Sequence, residues 1–200
     1  MMNEYYYEYE QDSFYCYPHT YVLKNKLGIT DEEELKKAER EITALRTAQL
    51  MQNPMEGIFD FDFLKRIHLF LFGDIYEWAG QTRNVNISKG NQFCRCEFIE
   101  DQMNNVMQKL KKEEYLAGLK KEKLAQRLSY YIGEINAIHP FREGNGRTQR
   151  MFIELLAEHN GYHLDFSKIS NEEMLEASLQ TFNLEYEYMA ELFMKALDKK

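Results

Sequence analysis

The sequence predicts one all-α domain carrying a single small β-hairpin, and three observations predict it. Leu, Glu, Lys, Ala and Met dominate while glycine (10) and proline (3) are scarce in 200 residues, a composition that favours helices. Apolar residues recur at helical spacing in one segment after another, and only one stretch alternates as strands do. No repeat, linker or low-complexity segment divides the chain, and 44% apolar residues suffice for a core and exclude a disordered tail.

The opening, "MMNEYYYEYEQD", is rich in tyrosine and acid and has no period. Residues 1–16 read as a loose arm before a domain spanning 17–200. "TDEEELKKAEREITALRTAQLMQ" starts a helix, with Thr30 as cap and Glu33 completing a capping box. Leu35, Ala38, Ile42 and Leu45 form its apolar stripe, and Pro54 and Gly57 end it. A second helix is expected from Phe61 to Trp78, closed by Gly80. "NVNISKGNQFCRCEFI" is the hairpin: Val85 and Ile87 alternate, Ser88-Lys89-Gly90-Asn91 supply the turn, and Phe93 to Phe98 alternate on the return. Such a ribbon is marginal alone and must lean on the helices. Further helices are expected over Gln102–Lys112, Lys121–Ile138 and Arg147–Glu158, with Gly161 as left-handed cap. Ser170 and Glu173 make another capping box, and Leu184, Tyr188, Leu192 and Phe193 continue the helical pattern.

Charge and cysteine usage exclude several functions. The 25 basic and 33 acidic residues give −8, which disfavours direct nucleic-acid binding, because phosphate contacts need concentrated Lys and Arg. "QKLKKEEYLAGLKKEKLAQ" alternates sign and reads as a solvated helix face. Cys16, Cys94 and Cys96 have neither disulfide-framework nor zinc spacing. Cys94 and Cys96 would share one face of a strand, where pairing is strained, so they are expected reduced. No cleavable signal opens the sequence and no apolar run approaches ~20 residues. The expectation is a cytoplasmic protein with no membrane span.

"HPFREGNGRTQR", from His139 to Arg150, concentrates the chemistry. Leu124, Leu128, Tyr131, Ile132 and Ile135 stripe the helix before it, and Pro140 stops that helix. Arg147 and Arg150 share one side of the next helix's first turn and oppose its dipole, at roughly 0.3–1 kcal/mol each when exposed. An anion at the turn reverses that sign. Gly144-Asn145-Gly146 can turn backbone N–H groups inward, and the helix N-terminus points the same way, which describes a phosphate cradle. Glu143 beside phosphates calls for a cation, and Mg²⁺ takes one or two carboxylates plus phosphates. His139 is the one nearby group that accepts a proton at pH 7. Together these suggest attack on phosphorus by a hydroxyl. Each element alone reads as ordinary structure, as do His19, His68, His159 and His163; the specificity lies in their spacing.

Those twelve residues resemble the Fic-domain motif, His-Pro-Phe-x-Asp/Glu-Gly-Asn-Gly-Arg-x-x-Arg, without departure. "YPHTYVLKNKLGI", "IHLFLFGDIYEWAGQTRNVNISKG" and "EINAIHPF" are similar to segments of bacterial Fic toxins, so the resemblance covers Tyr17 to the last helix. It implies a Fic-type helical domain that moves AMP from ATP to a hydroxyl of a target protein and releases pyrophosphate. It implies that His139 is the base, Phe141 the loop anchor, Glu143 the Mg²⁺ ligand, and Gly144-Asn145-Gly146 the cradle. Arg147 and Arg150 become the phosphate arginines, with Arg150 on the γ-phosphate, and Asn136 takes a supporting role. A kinase-like branch carries lysine where this chain has Gly146, which favours nucleotidyl transfer. The hairpin (Ile87, Ser88, Lys89, Gly90, Asn91, Phe93) resembles the flap that docks an extended target segment, with packing an equal reading for Ile87 and Phe93. Trp78 reads as core.

Fic proteins are commonly restrained by a Ser/Thr-x-x-x-Glu-Gly/Asn helix. Here Thr30…Glu34 is followed by Leu35 and Thr181…Glu185 by Tyr186, neither of them small. The resemblance then implies a separate small antitoxin whose glutamate faces Arg150, and a toxin whose targets include DNA gyrase and topoisomerase IV. The alternatives are a relative using another nucleotide or removing AMP, and a nucleotide-binding regulator that never turns over.

Overall fold

Caps decide where the helices begin. The computed structural model describes residues 12–89 and 91–200. Helix α1 (Glu32–Gln52) starts after Asp31, whose carboxylate accepts the Glu34 N–H at 2.8 Å. The cap therefore falls one position later than Thr30: a carboxylate accepts the bond and also meets the positive end of the helix dipole. Helix α2 (Phe61–Phe72) is capped by Asp60 in the same way. It stops at Phe72 and not at Trp78, because the Ile75 and Tyr76 N–H groups both donate to the Phe72 carbonyl at 2.9 Å and turn the chain. Ile75 and Trp78 keep the apolar period by being buried within that turn.

Helices α3 (Ile99–Lys112), α4 (Lys121–Ile138) and α5 (Asn145–His159) follow. α4 has the expected bounds; α3 and α5 start earlier than Gln102 and Arg147. The last stretch is two helices, α6 (Asn171–Phe182) and α7 (Glu187–Ala196), separated at Leu184, whose φ of 65° is not helical. The Ser170–Glu173 capping box is present in both directions, at 3.2 and 2.8 Å. Gly161 stands beyond α5 with a φ of 79°.

The hairpin is shorter than its alternation suggested. β1 (Ser88–Lys89) pairs antiparallel with β2 (Asn91–Gln92), Ser88 opposite Gln92. Beyond them the Val85 and Cys94 carbonyls are taken by the Arg83 guanidinium, and the Cys94 N–H donates to the Ala137 carbonyl at 3.1 Å. One further cross-strand bond, from the Phe93 N–H to the Ile87 carbonyl at 3.3 Å, follows the paired residues, and beyond it the flanks bond to other partners. Cys96–Phe98 is a 3-10 turn, so Cys94 and Cys96 do not share a strand; both are free thiols, as is Cys16. A second pair, β3 (Tyr162–Leu164) with β4 (Leu197–Lys199), was not foreseen, since three residues are too few to display a period.

α4 is the central helix, packed against α3, α5, α6 and α7. Its stripe of Leu124, Leu128, Tyr131, Ile132 and Ile135 is buried. At Gly133 a Cβ would lie 2.8 Å from Thr181 and 2.9 Å from Tyr186, so glycine admits the close approach of the C-terminal segment. α5 packs on α4 and α2, and α1 on α2. The end of α4 and the start of α5 are thereby fixed side by side. Residues 1–11 of the expected arm lie outside the described residues. Of residues 12–16, Tyr15 and Cys16 are buried and Asp12 pairs with Arg142 at 3.0 Å, while Ser13 and Phe14 are exposed. No helix among the described residues is long and apolar enough to cross a membrane.

Toward its C-terminal end, α5 carries Glu154, whose side chain is 14% exposed near His163. Burial, then the charges of Glu158 and Asp165, push its carboxyl up from 4.5 to about 7. The folded state therefore binds this proton more tightly than the unfolded state does. The contribution to stability is complete below pH 4.5 and is lost as pH rises through about 7. Calorimetry of wild type and Glu154→Gln is expected to show the wild-type Tm falling relative to the variant across that window, with no further divergence above it.

Candidate active site

The site is a loop between two helix ends. α4 ends at His139, which sits in the left-handed region (φ 52°, ψ 63°) with its N–H on the Ile135 carbonyl at 2.9 Å. That conformation costs about 1–2 kcal/mol at a residue with a Cβ, and Pro140 prevents the helix from continuing instead. The buried imidazole stacks on Phe93, with centroids 3.8 Å apart and planes 14° apart. Its Nδ1 lies 3.2 Å from the Asn136 carbonyl. A carbonyl can only accept, so Nδ1 carries a proton, and in the neutral imidazole Nε2 is then the nitrogen with the lone pair, as a base requires. The contact that Asn136 makes with the imidazole is through its backbone carbonyl.

Phe141 is buried and stacks on His68 at 4.0 Å. His68 Nδ1 accepts the Gly80 N–H at 2.8 Å, so its Nε2 donates to the Glu143 carbonyl at 3.0 Å. Burial, reinforced by the Arg147 charge, depresses its pKa to about 4, which keeps it neutral. His68 is structural, as its setting suggested, and what it holds is the loop. Asn145 closes the loop: Oδ1 accepts the Phe141 N–H at 2.9 Å and Nδ2 donates to the Phe141 carbonyl at 2.7 Å. Gly144 has a φ of 80°, and a Cβ there would lie 2.3 Å from the Phe72 ring, so conformation and space both demand glycine.

α5 then begins with no side-chain cap and no acid in its first turn. Its leading N–H groups have no intrahelical acceptors, a setting that suits an anion. Arg150 lies back over this turn, its Nη1 3.5 Å from where a Gly146 Cβ would be. Burial, then the charge of Arg147, lower its pKa, and no carboxylate among the described residues pairs with it. Arg147 is differently placed. It reaches Glu39 of α1 at 2.5 Å and Thr43 at 3.2 Å and lies over the Phe72 ring at 4.7 Å. The other Glu39 oxygen accepts the Tyr76 hydroxyl. Of the two guanidinium groups expected on the rim, one is engaged by α1 and one has no acidic partner among the described residues.

Glu143 Oε1 accepts the Gly144 N–H at 2.8 Å and lies 3.6 Å from Arg147. Burial, then the nearby Glu39 charge, push its carboxyl up, against the pull of the Gly144 N–H, Arg147 and Arg142. Among the described residues no three His, Cys, Asp or Glu side chains form a metal cage. Two carboxylates sharing one guanidinium leave room for one more cation. The donor set fits Mg²⁺, which takes one carboxylate and draws its other ligands from phosphate and water.

In the hairpin, Ile87 and Phe93 are buried, so packing is real for both, and for Phe93 the packing is against His139 itself. Ser88, Lys89 and Asn91 lie in the strands, with Gln92; Gly90 lies outside the described residues. Sequence reasoning missed Glu39, Asp12, Arg83 and Arg142. Arg142, buried and paired with Asp12, occupies the motif's variable position. Glu39 did leave a signal. The buried face of α1 is Leu35, Thr43 and Leu50, while Leu45 is 61% exposed. Reading i, i+4, i+8 from Leu35 places Glu39 among buried neighbours, where a carboxylate needs a cation.

Residues 58–157 match the profile of the Fic/DOC family. The chain belongs to that family. It is 42% identical over 184 residues to the protein adenylyltransferase VbhT of Bartonella schoenbuchensis, covering 92% of this chain and 38% of VbhT. It is 43% identical over 159 residues to the probable protein adenylyltransferase Fic of Escherichia coli, covering 79% of this chain and 78% of that protein. The N-terminal Fic domain of a Bartonella quintana effector, solved with bound ADP, superposes with a TM-score of 0.90 at 31% identity over 96% of this chain and 97% of that one.

The Asn145 bracket is testable in this Fic domain. Asn145→Ala orphans a buried N–H and a buried carbonyl, at roughly 2–4 kcal/mol together. Thermal unfolding is expected to drop by about 5–15 °C, and calorimetry is expected to show ATP affinity falling with it.

Proposed function

We propose that this Fic-family chain is a nucleotidyltransferase that moves AMP from ATP to a Tyr, Thr or Ser hydroxyl of a target protein and releases pyrophosphate. The observation that carries the reading is the setting of His139: its Nδ1 is held 3.2 Å from the Asn136 carbonyl, which leaves Nε2 as the basic nitrogen of the neutral ring, five positions before a glycine turn that opens an uncapped helix. Relatives named protein adenylyltransferases, and a Fic domain solved with ADP, point the same way.

In this reading Nε2 takes the proton as the target oxygen attacks the α-phosphorus. The new P–O bond forms as the bond to the β-phosphate oxygen breaks, and the electron pair leaves with pyrophosphate. The N–H groups opening α5 and the Arg150 guanidinium balance the phosphate charge. Arg147, tied to Glu39, orients Glu143 and tempers its charge. Glu143 would hold Mg²⁺, which supplies charge neutralisation on the phosphates when bound. Phe141, on His68, and Asn145 keep the loop from relaxing. The hairpin would present its backbone to an extended target segment, bringing a hydroxyl to the imidazole.

The same reading includes a toxin of the cytoplasm, restrained by a separate small antitoxin whose glutamate meets Arg150. Two facts support the restraint: neither Thr30…Glu34 nor Thr181…Glu185 is followed by a small residue, and Arg150 has no acidic partner among the described residues. DNA gyrase and topoisomerase IV are the targets to examine first, on the resemblance to bacterial Fic toxins.

Incubation of a bacterial lysate with ATP labelled at the α or the γ phosphate tests the activity. Protein labelled from α alone is the expected result; label from γ alone, or from neither, contradicts it. His139→Ala is expected to reduce transfer by at least about 100-fold while ATP affinity, measured by calorimetry, stays within about twofold.

A further inference from the structure

Arg83 lies between the Gly80 turn and the flap and is 2% exposed. Its Nε donates to the His139 carbonyl at 2.9 Å, Nη1 to the Val85 carbonyl at 2.7 Å, and Nη2 to the carbonyls of Cys94 and, at 3.2 Å, Ile138. Its backbone N–H donates to the Pro140 carbonyl at 2.9 Å. No carboxylate among the described residues pairs with this charge. A buried cation met only by carbonyl dipoles is a costly way to fill space. What no apolar side chain can do is bind, with one rigid planar fork, carbonyls arriving from three segments. Those segments are the two limbs of the flap, through Val85 and Cys94, and the end of α4, through Ile138 and His139.

Two more contacts tie the same parts together. The Cys94 N–H bonds to the Ala137 carbonyl, and the Phe93 ring lies on the His139 imidazole. None of these bonds reaches Gly144–Arg150. We propose that Arg83 is a positioning residue that couples the flap to His139, so that a target segment laid on the flap finds the imidazole already in place. The inference rests on reading His139 as the base and the hairpin as the seat of the target.

The test compares wild type, His139→Ala, Arg83→Lys and Arg83→Gln. Lysine keeps the charge but reaches only one or two carbonyls. Glutamine removes the buried charge, so its folding is the easier of the two. Three quantities are measured: Mg²⁺·ATP affinity by calorimetry, the rate of α-label transfer into lysate protein, and amide hydrogen exchange. For the Arg83 variants the coupling predicts affinity within about twofold and transfer down by about tenfold or more. It also predicts faster exchange at Phe93 and Cys94 with α5 unchanged. A folded Arg83 variant transferring at the wild-type rate overturns it. So does a parallel loss of affinity, transfer and α5 protection, or failure of both variants to fold, either of which would make Arg83 a general stabiliser. Wild-type transfer by His139→Ala, or no transfer by wild type, sinks the proposed function instead; the exchange comparison then still decides whether Arg83 joins flap and α4.

Discussion

The two hydrogen bonds between the Asn145 side chain and the Phe141 backbone are the constraint from which the rest of the site follows. They close five residues into a ring at the start of α5. Within that ring Gly144 must turn left-handed against the Phe72 ring, Glu143 must present its carbonyl to His68, and Phe141 must lie on the His68 imidazole. A short buried loop can hold one conformation only if its backbone groups are satisfied from within the protein. Here a single amide side chain satisfies two of them. The helices α2 and α4 make the walls, and the loop is pinned between them before any ligand arrives.

Charge is distributed around the loop with the same economy. Three guanidinium groups have partners within the protein: Arg83 has carbonyls, Arg142 has Asp12 and Arg147 has Glu39. Arg150 is the motif arginine with no carboxylate against it among the described residues. The motif's two arginines therefore differ in kind although they are three residues apart on one helix. One fixes α5 to α1 and shares the Glu143 charge; the other lies over the uncapped helix start, where an anion would be most strongly held. The cost of placing two cations at the positive end of a helix is met for Arg147 by Glu39, and only Arg150 leaves it open.

How much of this was legible in the sequence depends on the range of the interactions. Local chemistry was readable. The bounds of α4, the Ser170–Glu173 box and the left-handed turn at Gly144 are written in residues within one turn of each other, although the Phe72 ring that also excludes a Cβ at Gly144 is not. The motif's content was readable for the same reason, because its spacing is the signal. Long-range partners were not. Glu39 and Arg147 are 108 positions apart, and Asp12 and Arg142 are 130 apart. No local pattern distinguishes such acids from solvated ones, apart from the rotated face of α1 on which Glu39 sits. The hairpin was overdrawn because the backbone beyond Ile87 and Phe93 is claimed from outside the ribbon: Arg83 takes the Val85 and Cys94 carbonyls, the Cys94 N–H goes to α4, and Cys96–Phe98 coils into a 3-10 turn with Phe98 exposed. β3 and β4 were missed because strands of three residues paired across the whole of α6 and α7 leave no period to read.

The central claim is that the loop is built before the nucleotide comes and that Arg150, not Arg147, closes on it. A crystal structure of the chain with Mg²⁺ and a non-hydrolysable ATP analogue tests it most directly. The account predicts phosphates seated on the Gly144–Gly146 turn and contacted by Arg150, with both Asn145–Phe141 bonds and the Arg147–Glu39 pair kept. Phosphates bound away from that turn, or a loop rebuilt around them with the Asn145 bonds broken and Arg147 drawn off Glu39, would contradict it.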